Sequence, residues 1–103
     1  MFIAMNRFRI HLGREEDFET IWRARDSHLT GVPGFQYFNL LRGATDETCT
    51  TYISHSTWES QDAFVAWTQS EAFRQAHAKA GHKSEGIYIG GPRFEGYTSV
   101  LSK

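Results

Sequence analysis

The chain has 103 residues, enough for one small domain, and a net charge of -1 from eleven basic and twelve acidic residues that are intermixed. No Lys/Arg block marks a nucleic-acid or membrane surface, no apolar run approaches a membrane span, and Met1-Phe2-Ile3-Ala4-Met5 is too short for a signal h-region. The lone Cys49 cannot form an internal disulfide, so the expected setting is the cytoplasm. Three Trp, four Tyr and eight Phe exceed what so small a core absorbs, which points to an aromatic pocket, an oligomer interface, or both.

Residues 2–12 alternate as a strand, with Phe2, Ala4, Asn6, Phe8, Ile10 and Leu12 on one side. Asn6 is the polar member of an apolar row, and a buried amide there needs a backbone partner or a cavity. Gly13 breaks the strand. Glu15, Glu16 and Asp17 then crowd a helix N-terminus, where negative charge is favoured. Phe18, Ile21, Trp22 and Leu29 recur at helical spacing and should pack on a sheet, with Arg23, Arg25 and Asp26 on the solvated side. Gly31-Val32-Pro33-Gly34 turns the chain.

Phe35 to Arg42 and Cys49 to Ser56 read as an antiparallel hairpin joined by a polar turn at Gly43-Ala44-Thr45-Asp46-Glu47. The first of these strands is apolar on both faces, with Phe35, Tyr37 and Leu41 on one and Phe38 and Leu40 on the other. Two short helices follow, capped by Ser60 and Ser70, with Asp62 and Glu71 in their opening turns. The second carries Phe73, Ala76, His77 and Ala80 on one face and ends at Gly81. Small Ala76 and Ala80 leave room around the imidazole. That face suits a flat, apolar, metal-containing ligand, but it equally suits a hydrogen-bonded core histidine, and Trp67 suits a core position; spacing does not decide.

Residues 81–92 are glycine-rich around Ile87-Tyr88-Ile89, a pattern that fits either a flap or a surface connection with residues tucked beneath it. Residues 93–102 read as a fourth strand with Phe94, Val100 and Leu101 as its apolar members. The order strand, helix, strand, strand, helix, strand is the ferredoxin-like split βαβ arrangement, an α+β fold with an antiparallel sheet, expected to occupy 1–103 as a single domain. Helices cover one sheet face. The two-sided apolar pattern leads to the expectation of a homodimer, a dimeric α+β barrel.

The chain lacks a Cys-x-x-Cys pair, a zinc-type His pair on one helical face, a phosphate-binding glycine loop, a dinucleotide fingerprint and a Gly-x-Ser-x-Gly elbow. His11, His28 and His55 show no partners in the sequence. An enzyme of this composition needs a reactive ligand, because its own side chains offer little nucleophilic or acid–base machinery.

Asn6-Arg7-Phe8, Pro33-Gly34-Phe35 and Trp58-Glu59-Ser60…Ala63-Phe64…Trp67…Ser70…Phe73…Ala76-His77 resemble the antibiotic biosynthesis monooxygenase (ABM) superfamily. Within it the chain is most similar to the IsdG-like haem-degrading monooxygenases, in the manner of the HmuQ/HmuD-like branch. The specific part of the resemblance is Asn6, Trp67 and His77. It implies that His77 is the proximal ligand to haem iron, that Trp67 presses on the porphyrin and helps ruffle it, and that Asn6 hydrogen-bonds on the distal side. It implies oxidative opening of haem, both cofactor and substrate, with O2 and an external electron donor; no flavin or nicotinamide motif is present. Arg74, Lys79 and Lys83 lie in the part of the chain that would meet the propionates. Two rivals share the scaffold: a cofactor-independent, quinone-forming ABM monooxygenase, for which an axial His77 is superfluous, and a non-enzymatic haem carrier or sensor.

Overall fold

The computed structural model describes residues 1–25, 29–77 and 86–103, and of Ala76 and His77 the backbone alone. The elements run β1 (Phe2–His11), α1 (Glu15–Ala24), β2 (Phe35–Thr45), β3 (Cys49–Trp58), α2 (Gln61–Thr68), α3 (Glu71–His77) and β4 (Arg93–Thr98). They form one antiparallel sheet in the order β2-β3-β1-β4, the ferredoxin-like arrangement. The sheet is open, with β2 and β4 as its two edges. The expected dimeric α+β barrel is therefore overturned as to the barrel: the four strands form an open sheet, and at ordinary twist they do not bring the two edges together.

Strand alternation places Phe2, Ala4, Phe8 and Ile10 of β1 in the core, as the sequence implies. Two hydrophobic clusters lie on the helix-covered face. In the first, Phe18, Ile21 and Trp22 of α1 pack on Phe8, Ile10, Tyr52 and Leu40. In the second, Ala63, Phe64 and Trp67 of α2 pack on Phe2, Ala4, Trp58 and Phe35. Trp58 is fully buried at the end of β3 and donates its indole N–H to Ser56 Oγ at 2.9 Å. Among the described residues no helix covers the opposite face, and Tyr37, Leu41 and Tyr97 are exposed.

Local chemistry accounts for the helix starts. The Gly13 N–H donates to Glu15 Oε1 at 2.8 Å, so a carboxylate of the first turn reaches back over the α1 N-terminus. Ser60 Oγ accepts from the Ala63 N–H and Ser70 Oγ from the Phe73 N–H, both at 3.1 Å, so both sequence-assigned caps are in place. Gly34, at φ +82°, turns the chain under α2; a Cβ there would lie 2.4 Å from Ala63 Cβ.

Several boundaries differ from the sequence reading. Helix α1 ends at Ala24, because Arg25 is extended (φ -82°, ψ 129°). Leu29 is buried, but from the following connection and in the second cluster rather than on the helical stripe. Arg25 is not on a solvated side: its guanidinium lies over the Trp22 ring at 4.6 Å. Asp26 and His28 lie outside the described residues. A register shift between Phe35 and Tyr37 moves Phe35 to the helix-covered face, where it meets Trp58 edge-on at 5.5 Å, while Tyr37 stays on the other. Strand β2 runs on to Thr45, and the turn is tightened by Asp46 Oδ1, which accepts from the Thr48 and Cys49 N–H groups at 2.7 and 2.9 Å.

Strand β4 is shorter than expected. Thr98 pairs with Phe2, the first residue of β1, so beyond Ser99 the sheet offers no strand to pair with, and Val100 and Leu101 are exposed. Of the connection before it, Gly81-His82-Lys83-Ser84-Glu85 lie outside the described residues. Ile87 is in the core, and the Ile87 carbonyl and Ile89 N–H bond to β1 at 2.9 and 2.8 Å, so this part is tucked in, not a flap.

Candidate functional site

Five cross-strand rows cross the helix-covered face. Phe8 and Tyr52 belong to the cluster beneath α1, and Phe2 and Trp58 to the cluster beneath α2. The middle row is Leu40, Ser54, Asn6 and Phe94, in register across β2, β3, β1 and β4. Asn6 and Ser54 thus make a short polar strip where the two aromatic clusters part. Asn6 is half-buried and Ser54 only 7% exposed, and among the described residues neither side chain makes a hydrogen bond.

On the α2 side of that strip, Phe94 stacks on Phe64 at 5.7 Å with the rings 12° apart. Phe64 and Trp67 lie 6.5 Å apart, Trp67 and Trp58 5.5 Å, and Phe73 meets Trp67 edge-on at 4.8 Å. The Trp67 indole is therefore clamped between the end of β3 and the start of α3. Ser70 closes the corner between the helices: its hydroxyl donates to the Trp67 carbonyl at 2.6 Å while capping α3. Gly96 admits this packing, since a Cβ there would lie 2.8 Å from Phe2 Cζ and 3.3 Å from Phe94 Cε2.

On the α1 side stand Trp22, Phe8 and Tyr88, with ring centroids 5.7 Å (Phe8–Trp22) and 5.8 Å (Phe8–Tyr88) apart. Arg25 covers Trp22, and its burial there draws its pKa below the ordinary value. Burial likewise pushes the Tyr88 phenol up.

The structure thus brings Asn6 and Trp67 to the same side of the sheet, linked through Phe94 and Phe64. His77 is the last residue of α3, four positions beyond Phe73 in sequence; its side chain lies outside the described residues. Lys79 and Lys83 also lie outside them. Arg74 is exposed and paired with Glu71 at 3.2 Å. Sequence reasoning passed over Ser54, because β3 carries Ser and Thr on both faces and its polarity shows no alternation.

Separately, a cavity of about 380 Å³ lies between α1 and β2, lined by Glu19, Trp22, Phe38, Leu40, Arg42 and Tyr52 among others, and contains none of the three sequence-assigned residues. Its polar end is occupied internally. Glu19 accepts from the Tyr52 hydroxyl, from Arg23 at 2.9 Å and from Arg42 at 3.4 Å. The Tyr52 hydrogen bond, then the two guanidinium groups, hold the Glu19 carboxyl below its usual range; burial and the Glu19 bond push Tyr52 up to about 12.

A ferredoxin-like sheet with helices on one face and a polar strip between two aromatic clusters defines a small α+β domain of the ferredoxin-like class. The model of the antibiotic biosynthesis monooxygenase family matches residues 1–79, and the chain belongs to that family. It is 29% identical, over 90% of this chain and 84% of the relative, to a mycobilin-producing heme oxygenase of Mycobacterium tuberculosis strain H37Rv. Among solved structures it is similar to a heme-degrader from M. tuberculosis with two hemes bound in its active site (TM-score 0.76, 27% identity, covering 100% of this chain and 99% of that one). A cofactor-independent oxygenase from Streptomyces nogalater shares the fold at 23% identity (TM-score 0.66, covering 98% and 94%).

Proposed function

We propose that this protein is a haem-degrading monooxygenase acting on haem between the aromatic clusters, with 1–103 as its single domain. The observation that carries the proposal is the Asn6 amide, half-buried at the parting of the two clusters and without a hydrogen bond among the described residues. Such a group suits the distal side of a flat ligand, because its donor and acceptor are not committed to a protein partner and face the parting of the clusters. The similarity to a heme oxygenase over most of both chains supports the same reading.

The residues fit haem in type and placement. His77, at the end of a helix pinned by Phe73 and Trp67, would hold the iron through its imidazole. Trp67, packed between Trp58 and Phe73, would give a wall against which a macrocycle could be pressed out of plane. Asn6 would donate a hydrogen bond on the other side of the ring. When bound, haem supplies the oxygen chemistry through its iron, with electrons from an external donor. The cytoplasmic setting rests on the single, free and buried Cys49.

Haemin titration followed by reductant in air tests this. A sharp Soret band that bleaches as a bilin-like absorption rises is expected. A band that persists through repeated reduction identifies a carrier, and no band at all returns the chain to the cofactor-independent, quinone-forming group.

A further inference from the structure

The hydroxyl-bearing side chains of β3 on the helix-covered face sort into two kinds. Thr50 donates to Glu15 Oε2 at 2.7 Å and meets Thr45 Oγ1 at 2.8 Å. Tyr52 donates to Glu19, and Ser56 donates to the Ala4 carbonyl at 3.3 Å while accepting from Trp58 Nε1 at 2.9 Å. Ser54 lies in the middle of this series, is 7% exposed, and alone of the four makes no side-chain hydrogen bond among the described residues. Its register partner on β1 is Asn6, which shares that state. Neither group is spent on a protein partner among the described residues, so both are free to hydrogen-bond a ligand seated on this face. Directly opposed residues on one sheet face have Cβ atoms only about 5 Å apart, so a single small ligand can meet both.

We infer that Ser54 is a second hydrogen-bonding residue of the haem site: its hydroxyl and the Asn6 amide would together hold the small ligand that haem iron carries when bound. The inference rests on the haem reading above and adds to it a residue and a role. Asn6 offers a fixed N–H, whereas the Ser54 hydroxyl rotates and can donate or accept. The pair therefore suits a small anionic or oxygen-bearing ligand that needs two hydrogen bonds at once.

The test uses the whole protein with and without haem, and fluoride as the probe of the ferric iron. Without haem, Ser54→Ala should leave the denaturation midpoint unchanged or raised, while Ser56→Ala, which breaks a satisfied pair, should lower it. With haem, Ser54→Ala should keep haem affinity within about twofold yet weaken fluoride about tenfold, as expected for one hydrogen bond of ordinary strength, and Ser54→Thr should restore it. A wild type that binds haem and fluoride, with Ser54→Ala binding fluoride equally well, overturns this inference and leaves the haem reading standing. A Ser54→Ala apo-protein destabilised as much as Ser56→Ala makes the hydroxyl structural and overturns it too. A wild type with no Soret response removes the haem reading, and this inference with it.

Discussion

Trp67 packs against Trp58 with ring centroids 5.5 Å apart and planes 35° from parallel, tying α2 to the fully buried end of β3. The proposed ligand wall is therefore also a piece of the core. Trp67→Ala should cost about 2 kcal/mol of stability, below the range for fully buried large-to-small changes because Trp67 is only partly buried. Trp67→Phe should cost less than that and keep haem affinity, but slow Soret bleaching, because a smaller ring relaxes the pressure on the macrocycle. Urea denaturation and single-turnover spectroscopy read the two effects separately.

Gly34 and Ala63 set the height of α2 above the sheet. A side chain at Gly34 meets Ala63 Cβ at 2.4 Å and sits at positive φ. Gly34→Ala should cost at least about 2 kcal/mol, from crowding and left-handed backbone together, measured as a lower urea midpoint. Gly13→Ala, also at positive φ but with open space around it, should cost less.

These two sites show what was legible in the sequence and what was not. The alternation of β1 and the Ser60 and Ser70 caps could be read directly, because strand period and cap chemistry are local. The boundaries of α1 and β4 could not. Arg25 leaves the helix to lie over Trp22, a cation–π contact that a charged residue does not announce. Strand β4 stops at Thr98 because its partner begins at Phe2, so its length is set by β1 and not by Val100 or Leu101. Whether the sheet closes is likewise a property of the edges, and apolar residues on both faces of β2 do not determine it. At the site, Asn6 stood out as a polar residue in an apolar row, whereas Ser54 was hidden among the serines and threonines of β3.

Acid should loosen the α1 side of the core. Glu19 and Glu15 have lowered pKa values, held down chiefly by hydrogen bonds from Tyr52 and Thr50 respectively. A carboxyl depressed in the folded state stabilises above its unfolded value, about 4.5, and that contribution is lost as pH falls through the lower folded value. Stability should thus decline from about pH 4.5 downward. Glu19→Gln should flatten that decline, which a urea midpoint measured against pH would show; an unchanged slope would mean that Glu19 does not contribute.

Asn6→Ala should separate binding from chemistry. Under the proposed assignment, Asn6→Ala leaves His77 and both aromatic clusters untouched, so haem affinity should stay within a fewfold while the rate of Soret bleaching falls about a hundredfold, the scale on which a positioned hydrogen-bond donor acts in a water-poor site. Stopped-flow mixing of reduced complex with oxygen measures it.

The visible and paramagnetic resonance spectra of ferric haem bound to His77→Ala, compared with wild type, test the assignment of His77 most directly. Loss of the histidine-coordinated spectrum, with its recovery on adding free imidazole, is the expected result. A spectrum identical to that of wild type would show that the iron is held elsewhere, and the proposed site would be wrong.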